Sequence, residues 1–219
     1  MYKKYVKRFL DIVFSGIALI FFSPIFFVLT ILVVVLLGKP VFFRQRRTGK
    51  GMKNFEITKF RTMTEAKDTN GNYLPDEIRL TKFGRFLRSS SLDELPELLN
   101  ILRGDMSFIG PRPLPPIYNK YYTEKENKRF DVRSGLVPPD SVNPQPVITW
   151  DKQFEYEATY ADNITFIGDL KILIGVFRIL FKRSTEDYGS FVRLPLNIER
   201  ENNKKFSLVK EIEKDGILI

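Results

Sequence analysis

A mostly helical α+β fold, built behind a broken apolar N-terminal helix, is predicted by three features of the 219-residue sequence. Residues 12–37 form an uncharged apolar run interrupted near its middle by Ser23-Pro24. Two short strand-like runs, residues 41–46 and 54–62, flank the turn-rich Thr48-Gly49-Lys50-Gly51 and read as a β-hairpin. Beyond them, apolar residues recur at helical spacing in segments punctuated by Gly and Pro.

The apolar run is longer than the roughly 20 residues that cross a bilayer as helix, and no small-residue cleavage site follows it. Basic residues flank both ends, with Lys3, Lys4, Lys7 and Arg8 before it and Lys39, Arg44, Arg46, Arg47, Lys50 and Lys53 after it. The positive-inside rule then places both ends in the cytoplasm. A helix broken at Pro24 that enters one leaflet and returns meets this constraint, provided the Ser23 hydroxyl and local packing serve the backbone groups that proline leaves free. A kinked spanning helix is the alternative, and the physics of the run does not choose between them.

Composition bounds the rest. A content of 43% apolar and 14% aromatic residues excludes wholesale disorder and suits one globular unit with an appendage. The formal charge of +9 points to anionic partners such as nucleic acid, acidic lipid or phosphorylated small molecules. With no histidine and no cysteine, imidazole bases, thiol nucleophiles, disulfides and ordinary zinc sites are excluded. Chemistry must run on carboxylates, Lys, Arg, Tyr or hydroxyls, and a metal would be a hard cation held by oxygen, Mg²⁺ first among them.

In the hairpin, Phe55, Ile57 and Phe60 face inward if a bulge adjusts the register, which leaves Lys59 and Arg61 for an anion or for a solvated basic face. Residues 68–75 form a turn-rich loop. Residues 79–88 then carry Arg79, Lys82, Arg85 and Arg88 among apolar positions, an amphipathic basic element suited to a membrane surface or to phosphate. In 91–105, Leu95, Leu98, Leu99 and Leu102 mark a helix that Gly104 stops. With Ser91 as its cap, Glu94 completes a capping box but Pro96 lies past the first turn; with Asp93 as its cap, Pro96 falls in the first turn and costs little. Either way the helix dipole favours ionised Asp93 and Glu94. Acidic residues there are also ordinary capping chemistry, so their meaning depends on context.

Next, Gly110-Pro111-Arg112-Pro113 fixes an arginine between two prolines, a rigid cation suited to clamping phosphate. Residues 115–129 read as a helix with Tyr118, Tyr121 and Tyr122 clustered on it. Residues 137–146, with Pro138, Pro139, Pro144 and Pro146, read as an irregular loop. Helices follow at 150–160 and 170–181, the latter with Lys171, Arg178 and Lys182 on one face, as in an interfacial or a core helix. The charged tail is expected to be peripheral.

The broken apolar run, Phe42-Phe43-Arg44-Gln45, Lys59-Phe60-Arg61-Thr62-Met63, the 91–105 segment and Gly110-Pro111-Arg112-Pro113, in this order over about residues 1–185, resemble the bacterial sugar transferase family, the monotopic phosphoglycosyl transferases. The resemblance implies a re-entrant membrane helix at 1–38, a cytoplasmic catalytic domain at 39–185 with a short hairpin and interfacial helices, and a tail at 186–219. It implies transfer of a sugar 1-phosphate from a nucleotide sugar, usually a UDP-sugar, to a polyprenol phosphate such as undecaprenyl phosphate. The site would be monotopic, on the cytoplasmic face of the bacterial cell membrane, starting surface glycan assembly. Asp93 matches the family's nucleophile and Glu94 its Mg²⁺ ligand. Arg88 and Arg112 are candidate phosphate clamps, with Lys59 as a supporting cation. The chain departs from the family's GLTGxAQVNGR pattern: Gly135, Leu136, Val142 and Asn143 match, while the second glycine, the glutamine and the arginine are replaced.

On this reading the partners are the nucleotide sugar, the polyprenol phosphate and the lipid bilayer, without nucleic acid, and self-association into a homo-oligomer is allowed. The rival is a non-catalytic, membrane-anchored basic module that binds acidic lipid or nucleic acid. It accounts for the charge but not for the adjacent acidic pair or the proline-locked arginine.

Overall fold

The computed structural model describes residues 1–142, 149–183 and 193–204, without the side chains of 177–183. A π-helical turn, Tyr2–Val6, leads into α1 (Lys7–Phe21), and α2 (Ser23–Leu37) follows at a 62° bend. The bend has a local cause. Pro24 cannot donate to the carbonyl of Ile20 one turn back, and the Ser23 hydroxyl donates to that carbonyl instead, at 2.8 Å. Among the described residues no single helix is long and apolar enough to cross a membrane; the bent pair qualifies together. Much of its apolar surface is exposed, including Phe14, Ile17, Ile20, Phe21, Phe27 and Val35.

Both ends of this broken helix are fastened to the same domain. At the start, Lys3 donates to the Ala161 carbonyl, Lys7 pairs with Asp169 at 2.7 Å, and Arg8 donates to the carbonyls of Ile101 and Leu102 at 2.6 and 2.8 Å. Asp11 accepts from the Ser107 hydroxyl and the Phe108 N–H. At the exit, Arg61 donates to the carbonyls of Leu37, Gly38 and Lys39, the last at 2.9 Å. Arg61 is 4% exposed and committed to this helix end, so it is not the free anion ligand the sequence allowed.

The hairpin pairs β1 (Phe42–Thr48) with β2 (Asn54–Phe60) in unbroken register from Phe42 opposite Phe60 to Thr48 opposite Asn54. The bulge is unnecessary because β2 buries both faces. Phe60 packs with Leu29, Val33, Leu37 and Leu87, while Ile57 packs with Leu98, Ile101 and Met106. The basic element at 79–88 is split into α3 (Asp76–Arg79) and α4 (Lys82–Ser89), because Thr81 caps α4 by accepting from the Gly84 N–H at 3.0 Å. The helix expected over 91–105 is shorter: a 3₁₀ turn, Leu92–Glu94, precedes α5 (Glu97–Arg103). Gly104 ends α5 at φ 101°, as predicted.

A second sheet went unread in the sequence. β3 (Met106–Ile109) lies parallel to β4 (Ser134–Val137), pairing Ser107 with Gly135. Each strand is four residues long, too short for a period to register. The 115–129 segment divides into a 3₁₀ turn (Pro116–Tyr121), α6 (Glu124–Asn127) with a Thr123/Glu126 capping box, and another 3₁₀ turn (Lys128–Asp131). The stretch 137–146 is not wholly irregular: Val137 ends β4 opposite Ile109 and Pro139–Val142 form a 3₁₀ turn, while residues 143–148, with Pro144 and Pro146, lie outside the described residues. α7 (Trp150–Asp162) and α8 (Phe166–Arg183) complete the fold, with Phe166, Ile167, Leu170 and Ile174 of α8 exposed. A further helical stretch at 196–204 begins at Leu196, which packs fully buried against Leu114, Trp150 and Phe154. This part of the tail is core, not periphery.

Gly135 of β4 lies against Gly110, the residue that follows β3. A Cβ on Gly135 would sit 2.1 Å from the Gly110 nitrogen, whereas one on Gly16 of α1 meets nothing within 4 Å. Gly135→Ala is expected to cost about 2–4 kcal/mol, because main chain must move to admit the methyl group. Gly16→Ala, in contrast, removes helix-interior glycine and is expected to be neutral or to stabilise by up to ~1 kcal/mol. Thermal midpoints of the two variants in detergent micelles check both expectations.

Candidate functional site

The site is built where β2, α4 and the turn before α5 converge. Ser91, in the left-handed region at φ 56°, reverses the chain after α4 and throws Leu92–Glu94 into its 3₁₀ turn. Leu92 and Leu95 pack into the core beside Leu87 and Phe60, which anchors the turn from below. Asp93 is thereby drawn under the surface, at 8% exposure, while the side chain of Glu94 stays 34% exposed. Neither caps a helix by its side chain. The expected helix-terminus environment for Asp93 is replaced by a buried turn flanked by cations.

Two of those cations were expected. Lys59, the residue of β2 just before Phe60, donates to Glu94 Oε1 at 2.6 Å. Arg88, at the end of α4, donates through Nε to the Thr62 hydroxyl at 3.0 Å, and its charge acts on Asp93. The structure therefore gathers Asp93, Glu94, Lys59 and Arg88 into one cluster.

Arg112 makes no hydrogen bond or ion pair with that cluster among the described residues. Its main chain is held on both sides, the N–H by Glu157 at 2.9 Å and the carbonyl by Arg129 at 2.5 Å. Its side chain is exposed and makes no hydrogen bond or ion pair among the described residues; its charge is felt by Asp140 and Arg193. Ser23 and Pro24 are where the helix breaks, as expected.

Three contributors escaped the sequence reading. Glu97, the first residue of α5, is 3% exposed and lies 3.2 Å from Lys59 Nζ, so that one ammonium serves two carboxylates. Asn100 ties α5 to β2, donating to the Glu56 carbonyl at 2.7 Å and accepting from the Thr58 N–H at 3.3 Å. The Arg129–Glu157 pair, 2.9 Å apart and almost wholly buried, fixes the Arg112 main chain. Glu97 could have been found from its position three residues after Glu94, one helical turn on; the others have no sequence signal.

Electrostatics follow burial. Desolvation and the neighbouring Glu94 charge push the Asp93 carboxyl above its ordinary value, against the pull of Lys59 and Arg88. Burial works to lower Lys59, but the charges and hydrogen bonds of Glu97 and Glu94 outweigh it and hold Lys59 above its ordinary value. Glu97 is pushed up to about 7 by desolvation, with Lys59 opposing and Glu94 and Asp93 reinforcing.

A carboxyl raised on folding holds a proton that the unfolded chain has already released, so stability falls as pH climbs from the ordinary value of 4.5 toward 7. Glu97→Gln removes this titration. Between pH 5 and pH 8 the wild type is expected to lose on the order of 2 kcal/mol relative to Glu97→Gln, read as converging or crossing thermal midpoints. Parallel curves would show that Glu97 is not the titrating group.

The bacterial sugar transferase family matches residues 2–183. An uncharacterized sugar transferase, EpsL of Bacillus subtilis, is 47% identical over 169 residues, 77% of this chain and 83% of the relative. The UDP-glucose:undecaprenyl-phosphate glucose-1-phosphate transferase of Klebsiella pneumoniae is 37% identical over 80% of this chain, which spans 39% of that longer protein. The exopolysaccharide production protein ExoY of Rhizobium meliloti is 32% identical over 76% of this chain and 81% of its own length. The match covers most of the chain and the relatives exceed 30% identity over most of its length: the chain belongs to the bacterial sugar transferase family.

Proposed function

We propose that the chain is a phosphoglycosyl transferase that moves a sugar 1-phosphate from a nucleotide sugar, of the UDP-sugar class, to a polyprenol phosphate, the first step of a surface glycan. The observation that carries this reading is the Asp93-Glu94 turn set between Lys59 and Arg88. A recessed carboxylate flanked by cations is suited to attack on phosphorus, because the cations hold the phosphate oxygens that would otherwise repel it. Relatives named for transfer to undecaprenyl phosphate support the substrate class.

In this mechanism an Asp93 carboxylate oxygen attacks the β-phosphorus of the donor. The bond from that phosphorus to the bridging oxygen breaks, UMP leaves with the electron pair, and the sugar phosphate stays on Asp93 as an acyl phosphate. A phosphate oxygen of the polyprenol phosphate then attacks the same phosphorus, and the bond to the Asp93 oxygen breaks to restore the carboxylate. Arg88 and Lys59 hold the donor phosphates, and the rigidly mounted Arg112 meets the donor further out. With no histidine or cysteine in the chain, a carboxylate nucleophile fits the residue inventory.

No group of three or more acidic side chains among the described residues could hold a metal by itself. Glu94, accessible and acidic, fits Mg²⁺ as a single protein ligand of the kind completed by substrate phosphates and water. Bound there, Mg²⁺ would supply charge neutralisation to the diphosphate.

The same docking of both helix ends supports a re-entrant placement in the cytoplasmic leaflet of the cell membrane. Lys7 and Arg8 at the start and Leu37 to Lys39 at the exit bind one domain, which a helix delivering its ends to opposite faces could not do. The exposed apolar faces of α1, α2 and α8 would lie in lipid, at the depth where a long-tailed lipid phosphate presents its head group.

Two outcomes are expected. Asp93→Asn should fold and abolish turnover, and wild type quenched with donor alone should carry a sugar phosphate on the peptide containing Asp93, seen by mass spectrometry; near wild-type turnover in the variant would remove the nucleophile. Cysteines placed singly at Lys4 and Lys50, in a chain with none of its own, should both react from the cytoplasmic side alone. Labelling of position 4 from outside intact spheroplasts would make the broken helix a spanning one.

A further inference from the structure

Lys59 sits between two carboxylates of unlike exposure. Glu94 Oε1, 2.6 Å away, belongs to a side chain one-third open to solvent, and Glu97 Oε1, 3.2 Å away, to one that is 4% exposed. A phosphate-bound cation can reach the first but not the second. If Glu94 gives its oxygen to such a cation, its hold on Lys59 weakens, and a three-quarters-buried ammonium without another partner would carry a desolvation cost. Glu97 is built in to meet it. It starts α5, whose seat on β2 is fixed by Asn100 bonding to either side of Ile57, and β2 also carries Lys59. The other charges acting on Glu97 are those of Asp93 and Glu94 from the preceding turn and of Arg47 from β1.

We propose that Glu97 is a positioning residue that holds Lys59 when Glu94 turns to the cation, so that the site keeps its ammonium while freeing its accessible carboxylate. This rests on the role of Glu94 argued above. Glu97 touches neither substrate nor reacting atoms; it works through Lys59. With Glu97 neutral, Lys59 has one anion left and stays on Glu94, in competition with the metal.

The test is Mn²⁺ binding by the full-length protein in detergent with UDP present, counted by electron paramagnetic resonance at pH 8, where the Glu97 carboxyl is ionised. Glu97→Gln should weaken Mn²⁺ about tenfold, the size found when a group behind a metal ligand is lost, and Glu97→Asp, which keeps the charge, should weaken it less. In a Lys59→Met background Glu97→Gln should have little further effect, since no ammonium remains to compete. An equal loss in that background would reduce Glu97 to a nearby negative charge and overturn the proposal, as would unchanged binding in Glu97→Gln. Should Glu97→Gln fail to fold, Glu97→Asp against Glu97→Asp/Lys59→Met decides by the same comparison. Glu94→Gln separates the two levels: if it leaves Mn²⁺ binding intact, the role of Glu94 and this inference fall together, whereas a Glu94-dependent site indifferent to Glu97 removes the inference alone.

Discussion

The fold hangs on a guanidinium that closes the exit of an apolar helix. The last carbonyls of α2 have no partners within the helix, and beside an apolar surface they cannot be left to chance. Arg61 takes the carbonyl of Leu37, the last residue of α2, together with those of Gly38 and Lys39 just beyond it, and being the residue that follows β2 it pins the end of the hairpin to the end of the helix. Lys59 lies two residues earlier on that strand, and Phe60 between them fills the core against Leu29, Val33 and Leu37 of α2. The seat of the apolar helix on the domain and the position of the site's ammonium are thus set by one tie.

A matching tie acts at the other end. Arg8, near the start of α1, serves the carbonyls of Ile101 and Leu102 at the end of α5, the helix that Glu97 begins. The two arginines do the same chemical work in opposite directions, one giving the domain's strand to the broken helix and the other giving the broken helix to the domain's α5. Between them, Asn100 joins α5 to β2. The acidic turn is therefore framed by elements that are all referenced to the apolar helix, which is what the proposed transfer from a soluble donor to a lipid acceptor requires.

Legibility in the sequence followed the range of the interactions. The break at Ser23-Pro24, the hairpin, the stop at Gly104 and the adjacency of Asp93 to Glu94 depend on neighbours a few residues away, and composition and spacing displayed them. Lys59 and Arg88 joined the acidic turn through a resemblance covering most of the chain rather than through any local pattern. What stayed hidden depends on long-range pairing: β3 with β4, Arg61 with α2, Glu97 with Lys59. Basic residues are ambiguous for the same reason. Lys7, Arg8 and Arg61 read as a charged flank and a free cation, yet each is committed to a carboxylate or carbonyl that only the folded chain brings near.

Arg112 shows how such a hidden pairing reaches function. Its flanking prolines restrict φ at 111 and 113, but they do not aim the residue between them. The aim comes from Glu157, which accepts from its N–H, and Arg129, which donates to its carbonyl. These two are also an ion pair, 2% and 0% exposed, whose other partners are Gln153 and Tyr122. Buried pairs of this kind are weak sources of stability, since desolvation consumes most of their attraction, and an apolar pair of equal volume would fill the space as well. An apolar pair could not grip a peptide unit by both its donor and its acceptor. The geometry of the pair is thus explained by the main chain it holds: it leaves the Arg112 guanidinium exposed on a rigid base, where its charge acts on Asp140 and Arg193.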